Sequence, residues 1–450
     1  MKARQEDKVN VRKHVSADSL YKLVRTGFDA VADHRKLGAV SIKLGDALQS
    51  ALAMFALKDP SLLAFDDRRN DQNMKTLFGI DQIPCDTQMR EILDGVDPKS
   101  LRPIFNDVLR QAQRGKLLEP YVFYEGCYLI SCDGTGYFSS KKVHCDSCQQ
   151  KVNSTTGEIT YQHQMLGAAI VHPDMKEVIP LAPEPIVRQD GNSKNDCERN
   201  AGKRLLQQLR AEHPKMGFII IEDGLASNAP HLREILRLNM HYISGVKPGD
   251  HRFLFDHVVA AIEEDRATTI TWYEKETRCE ITYINDLPLN ESNQDLRVNY
   301  LQYVEYDSDG NVAKMFSWVT DFVVTNDNAR LLARAGRARW KIENETFNTL
   351  KNQGYHFEHN FGHGKNNLSV VLAMLMMLAF LIDQIQQRAC PLFRAVWKKL
   401  KTKRALWDNL RSHFRHFLFT SMQQLYETIL YDRGKEVPLP PVDRPSFDTS

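Results

Sequence analysis

A chain of 450 residues, 42% apolar and 26% charged, has an ordinary globular composition and is too long for one compact core, so about two to four domains are expected. Eight cysteines without regular spacing exclude a disulfide-stapled secreted scaffold and point to a reducing compartment. The start has no apolar signal-peptide core, and the most hydrophobic run, residues 370–382, covers 13 positions, short of the roughly 20 that span a bilayer; the expectation is a soluble, cytoplasmic protein without a membrane segment.

The net charge of +2 hides an asymmetry: residues 255–310 carry 13 acidic and 4 basic side chains, residues 330–415 carry 16 basic and 5 acidic. Such a basic stretch suits a polyanionic partner or a solvated helical surface. Residues 1–120 read as helical. Asp18-Ser19 can cap a helix with Leu20, Leu23, Val24 and Val31 on one face, a second carries Leu44, Leu48, Leu52 and Phe55, and Asp86-Thr87 can cap a third through Met89, Ile92 and Leu93. This region suits a DNA-reading module or a packing and dimerisation domain.

From Tyr121 the texture turns to strands. Cys127 to Cys132 ends in Asp133-Gly134. Residues 161–171 form a second run, with Gly167 inside it. A helix over residues 195–210 leads to Met216-Gly217-Phe218-Ile219-Ile220-Ile221, an apolar run suited to a strand buried on both faces. It ends in Glu222-Asp223-Gly224, before another helix and a strand over residues 241–246. This order predicts a mixed α/β sheet. Residues 251–324 then alternate as exposed strands do, with Asp307-Ser308-Asp309-Gly310 as a hairpin turn. A helix over residues 339–351 follows, with Gly354 as its C-cap. On a regular helix Trp340, Phe347 and Leu350 share one side with Glu343, and Glu345 points away. Beyond Asn367 the chain is helical again, and residues 437–450 suggest a disordered tail. The division expected is 1–120, helical; 121–250, the first part of the core; 251–324, an acidic β insertion; 325–390, the second part with the Glu-bearing helix; and 391–450, a basic helical end and tail.

Asp133 and Asp223 each follow a buried strand, the edge where functional groups collect in open α/β sheets. With Glu343 they make three acids on separate elements. If they converge they need cations between them, and hard oxygen ligands suit Mg²⁺ or Mn²⁺. Two such ions suit in-line phosphoryl displacement. Each Asp-Gly taken alone is equally a turn.

Arg339-Trp340-Lys341-Ile342-Glu343, followed by Phe347 and Lys351, resembles the Tyr-Arg-Glu-Lys motif of DDE transposases of the insertion-sequence-four type. Cys132-Asp133-Gly134-Thr135 and Ile221-Glu222-Asp223-Gly224 are similar to that family's two aspartate strands, and the β insertion before the glutamate matches as well. The resemblance covers residues 120–390. It implies an RNase H-like mixed sheet interrupted by the insertion, with helical regions at both ends, and two Mg²⁺ ions held by Asp133, Asp223 and Glu343. It further implies cleavage of double-stranded DNA at terminal inverted repeats, joining of the 3′-OH to target DNA, and a homodimer or higher synaptic complex. Arg339 and Lys351 take the phosphate-holding positions. Two departures stand out. The family Tyr position is Gly336, and Lys351 follows Glu343 by eight residues instead of seven, as a helical bulge would produce; this leaves Glu345 as the alternative third acid. A non-catalytic DNA-binding derivative and a two-metal nuclease without transfer activity are the competing readings.

Three further groups stand apart. His144, Cys145, Cys148 and His163 have zinc-ligand spacing, or are reduced surface side chains. Trp318 and Trp272 can stack on an unpaired base or pack a β layer. Lys365, in Asn360-Phe361-Gly362-His363-Gly364-Lys365, can contact phosphate. Glu198 reads as a surface carboxylate.

Overall fold

A computed structural model describes residues 13–36, 38, 40–187 and 197–431; the expected tail at 437–450 lies outside them. Helix α1 (Ala17–Asp29) is capped by Ser16, whose hydroxyl accepts from the Ser19 amide at 3.3 Å. The Asp18-Ser19 cap expected from sequence is therefore one turn late. Asp18 instead accepts from the Met422 amide at 2.7 Å, at the start of the chain's last described helix. Helices α2 (Leu44–Leu57), α3 (Leu62–Asp66), α4 (Gln72–Phe78), α5 (Asp86–Asp94) and α6 (Arg102–Arg114) follow. Every residue of α2 is buried, so it is a central element and not the amphipathic helix its leucine spacing suggests.

The strands are β1 (Val122–Tyr124), β2 (Cys127–Ser140), β3 (Gln149–Val152), β4 (Ile159–Val171), β5 (Ile179–Pro180), β6 (Glu184–Ile186) and, after α7 (Glu198–Glu212), β7 (Gly217–Glu222). Helix α8 (Ala229–Arg237), β8 (His241–Gly245), α9 (Arg252–Glu263), β9 (Thr268–Glu274), β10 (Thr277–Pro288), β11 (Arg297–Tyr306) and β12 (Val312–Thr320) complete a mixed 12-stranded sheet. Its main path runs β3-β4-β2-β7-β8-β12-β11-β10-β9. Strands β2, β7 and β8 are parallel, and β4 and β12 flank them antiparallel.

Two expectations change here. Strand β2 does not stop at Asp133 but runs on to Ser140, because β4 pairs with it along that whole length. What ends is the parallel ladder with β7, whose last rung is Ser131 opposite Ile221. The acidic segment is not all strand either: Leu254, Val258 and Ala261 recur at helical spacing and form the buried face of α9. Its four strands extend the central sheet edge to edge through β12 and β8.

The chain then forms α10 (Ala329–Arg337), a tight turn over Ala338–Trp340, a π-helical stretch over Ile342–Phe347 and α11 (Asn348–Asn352). Helix α12 (Leu368–Ala389) is long and apolar enough to cross a membrane, yet the apolar window is wholly buried inside the fold. Helices α1, α2, α5 and α6 pack on α12 or on each other, together with α13 (Pro391–Leu400), α14 (Lys403–His416) and α15 (Met422–Tyr431). Buried apolar side chains run as one continuous cluster from Val15 to Ile429, so the packing joins the two helical ends to the sheet.

Candidate active site

Register brings the two aspartates together. Two residues beyond the last parallel rung lie Asp133 on one chain segment and Asp223 on the other, and neighbouring strands run about 4.8 Å apart. Both line a cleft of about 580 Å³. Glu222, next to Asp223, is already engaged: it is buried and accepts from His231 of α8 at 2.7 Å. Burial draws the His231 pKa down, but the Glu222 carboxylate outweighs it and leaves the imidazole above its ordinary value. Asp223 is the acid left facing the cleft, its carboxylate accepting from the Leu225 amide at 3.0 Å.

Glu343 reaches the same place from the π-helical stretch. Ser131 of β2 donates to the Arg339 carbonyl at 2.8 Å and ties this segment to the sheet. Phe347 and Ile342 press on β4 at Gly167, where a Cβ would stand 2.8 Å from the Phe347 ring and 3.7 Å from Ile342. The Arg339 guanidinium then lies 2.9 Å from a Glu343 oxygen and 3.3 Å from an Asp133 oxygen. Burial, and then a hydrogen bond to Glu343, push the Asp133 carboxyl up to about 7 against the pull of Arg339. The Asp133 carboxyl thus holds its proton far more readily than a free one does in the absence of a stronger cation. Replacing Gly167 with Ala is expected to displace Phe347, cost about 1–3 kcal/mol of stability in denaturant unfolding and reduce DNA cleavage. Gly136→Ala on β2, where the new Cβ finds only ordinary contacts at 4.0 Å, is the near-neutral comparison.

The π-turn lies between Glu343 and Lys351. It also breaks regular helical phase, which corrects the expected face: Phe347 and Leu350 are buried, but Trp340 is 46% exposed, with the Arg339 guanidinium 4.5 Å from its ring centroid. The charge of Glu345 acts on Lys341 and Lys403. Glu198, read from sequence as surface, is exposed and at the same time lines the cleft. Its Oε1 would lie 1.9 Å from a Cβ at residue 134, so it occupies space that Gly134 leaves free beside Asp133. Partial desolvation, then Asp223 and Glu222, raise its pKa. The glycine after Asp133 was the one sequence signal for this approach.

Other expected site residues stand elsewhere. Lys351 pairs with Glu358 at 2.8 Å. Trp318 is 5% exposed and packs against Gly336, where a Cβ would come within 2.4 Å of the indole; with its ring occupied in the core, it is a packing residue and not a base-stacking one. The loop before α12 is not an open phosphate cradle, because Asp94 already accepts from the amides of Lys365, Asn366, Asn367 and Leu368 at 2.9–3.1 Å. The Lys365 side chain remains exposed. His144 is exposed and stacks on Tyr161 at 4.2 Å, apart from the two cysteines. The side chain that joins Cys145, Cys148 and His163 is His363, which sequence reasoning missed.

Acids gathered from β2, the end of β7 and the segment after α10, with a guanidinium among them, form a site able to hold hard divalent cations. The family model for the transposase DDE domain matches residues 145–381, more than half of the chain, and the chain belongs to that family. The matched span includes Asp223 and Glu343 and begins after Asp133. No curated protein matches the chain. A transposase function in DNA transposition, with the divalent-metal dependence general to DDE transposases, follows from that membership.

Proposed function

We propose that the chain is an insertion-sequence transposase of the Tyr-Arg-Glu-Lys group. It cuts the ends of its element and joins the freed 3′-OH to target DNA from an RNase H-like core. The observation that carries this reading is the contact of Asp133 with Glu343, bridged by Arg339, beside Asp223. Two carboxyls held against one guanidinium, with the Asp133 pKa raised, fit a site meant for cations. Asp133, Asp223 and Glu343 would hold Mg²⁺ or Mn²⁺, and a bound pair would supply activation of the attacking oxygen and stabilisation of the leaving one. Arg339, freed from bridging two acids, orients a phosphate by paired hydrogen bonds. Lys351 does the same after leaving Glu358, a partly exposed pair worth little.

The three parallel strands with β4 antiparallel beside them support the RNase H-like reading, and β9–β12 with α9 would be its insertion. A second basic surface supports the DNA partner. A cleft of about 740 Å³ beside α11 and α14 is lined by Arg404, Arg411, Arg415 and His416. A homodimeric or larger synaptic complex would bring two element ends together. Eight free thiols fit the reducing cytoplasm.

The experiment is incubation of the protein with Mg²⁺ and duplex DNA carrying the element's ends and a target plasmid. Nicked and then joined products are expected. Binding without nicking supports a DNA-binding derivative instead, and cutting without joined product supports a nuclease. Arg404→Ala and Arg415→Ala are each expected to weaken DNA binding uniformly across sequences and to lower the salt slope of log K by about 1; unchanged slopes would remove this cleft from the interface.

A further inference from the structure

Outside the lining of the acid cleft, four side chains from three parts of the chain meet in one buried cluster. Cys145 and Cys148 sit on the turn after β2, His163 on β4, and His363 in the loop between α11 and α12. All four are buried, and their ligand atoms lie within 4.8 Å of one another. The sulfurs are 3.8 Å apart. His163 Nε2 lies 3.3 Å from Cys145 Sγ and 3.5 Å from Cys148 Sγ, and His363 Nε2 lies 3.2 Å from Cys148 Sγ.

These separations decide what the cluster is for. A disulfide would need sulfurs about 2.05 Å apart. A tetrahedral ion with bonds of about 2.3 Å to sulfur and about 2.0 Å to nitrogen sets sulfurs about 3.8 Å apart and sulfur and nitrogen about 3.5 Å apart. The observed edges match the second geometry. The ring nitrogens facing away, Nδ1 of His163 and of His363, have no hydrogen-bond partner among the described residues, so both imidazoles are engaged only toward the sulfurs. Four buried polar groups satisfied by one another alone are costly without a central cation. The Cys145 amide also points at Cys148 Sγ at 3.5 Å, as a turn that stabilises a thiolate does.

We propose that Cys145, Cys148, His163 and His363 bind one structural Zn²⁺ that staples the loop after the Glu343-bearing segment to β4 and to the turn after β2, the strand that carries Asp133. Soft thiolates with imidazoles select zinc over the hard ions suited to the carboxylate cleft. No open coordination position remains, so the ion is structural. The staple bridges a long separation in sequence: Cys148 and His363 are 215 residues apart, and the loop they anchor joins α11 to α12. The inference does not rest on the proposed reaction, and DNA cleavage is not its readout.

The test starts with full-length protein purified reduced and without added metal. Elemental analysis is expected to find about one zinc per chain. Exchange with Co²⁺ is expected to give the intense visible absorption of a tetrahedral thiolate site. Cys148→Ser and His363→Ala are expected to lose the stoichiometric zinc, whereas His144→Ala keeps it. Stripping with a strong chelator is expected to open the loop over residues 354–367 to protease. Absence of zinc from the untreated wild-type protein, together with no tetrahedral Co²⁺ spectrum after reconstitution, would overturn the proposal even if both variants fail to fold. Retention of zinc by folded His363→Ala, with its loss in His144→Ala, would overturn the ligand set.

Discussion

Asp133→Asn is expected to abolish DNA cleavage, by on the order of 10⁴-fold, and at the same time to make the metal-free protein more stable at pH 7 and above. Both effects come from one arrangement. In the folded chain the Asp133 carboxyl is pushed up to about 7, first by burial and then by Glu343, with Arg339 opposing. In the unfolded chain it titrates near the ordinary 3.8. The folded state therefore keeps a proton that the unfolded chain has released, and folding stability falls as pH rises from about 4 through about 7. An amide carries no such penalty and donates to the Glu343 carboxylate. The difference between about 7 folded and 3.8 unfolded corresponds to roughly 4 kcal/mol. Solvent screening at a carboxylate 24% exposed reduces the expectation to about 1–2 kcal/mol. The check is a pair of chemical-denaturation series in EDTA at pH 5 and pH 8, for wild type and variant, beside a Mg²⁺-dependent cleavage assay. Glu343→Gln is expected to lose cleavage as well, and Glu345→Gln to retain it. Cleavage lost in Glu345→Gln and kept in Glu343→Gln would reverse the assignment of the third acid.

Sequence legibility followed the range of the signal. The run Phe218-Ile219-Ile220-Ile221 reads as a buried strand because nothing amphipathic competes with it, and it is the centre of β7. The eight-residue interval between Glu343 and Lys351 reads as a bulge because helix geometry is local, and the π-turn stands there. Phase across that turn was not legible: regular periodicity placed Trp340 inward, and one extra residue with the tight turn before it sends the indole to solvent. Long-range partners were not legible at all. Gly336 looked like a missing tyrosine, but nothing nearby in sequence says that Trp318 from β12 fills the space. His144 adjoins Cys145 in the chain, yet the turn aims its ring outward at Tyr161, while His363 arrives from beyond the sheet. Glu198 is exposed, as its place on a polar helical face implies, but periodicity does not say that this face borders the acid cleft.

Asp383→Ala is expected to destabilise the whole protein by about 3–5 kcal/mol, the cost of leaving a buried ammonium without its counter-ion. Lys58 is fully buried at the left-handed C-cap of α2. Its Nζ lies 2.6 Å from Asp383 of α12 and 3.1 Å from the Ala56 carbonyl, between the rings of Tyr355 at 4.1 Å and Trp407 at 4.3 Å. Tyr355 also donates to Asp383. Burial pulls the Lys58 pKa below its ordinary value, and Asp383 is what holds it up. Without that carboxylate the folded pKa falls further while the unfolded one stays near 10.5. The variant's deficit should therefore shrink as pH rises from 7 toward 10, the window in which the folded state sheds a proton that the unfolded chain keeps. Lys58→Met combined with Asp383→Leu is expected to recover most of the loss, since no charge is then stranded. Equal stability of Asp383→Ala and wild type at pH 7 would mean that the two rings and the carbonyl suffice for the ammonium. This cluster joins an N-terminal helix, the chain just after α11, the central helix α12 and the basic helix α14. A chain lacking residues 1–120 would strand Asp383 in the same way that Asp383→Ala strands Lys58, so residues 121–431 are expected not to fold as an independent catalytic unit.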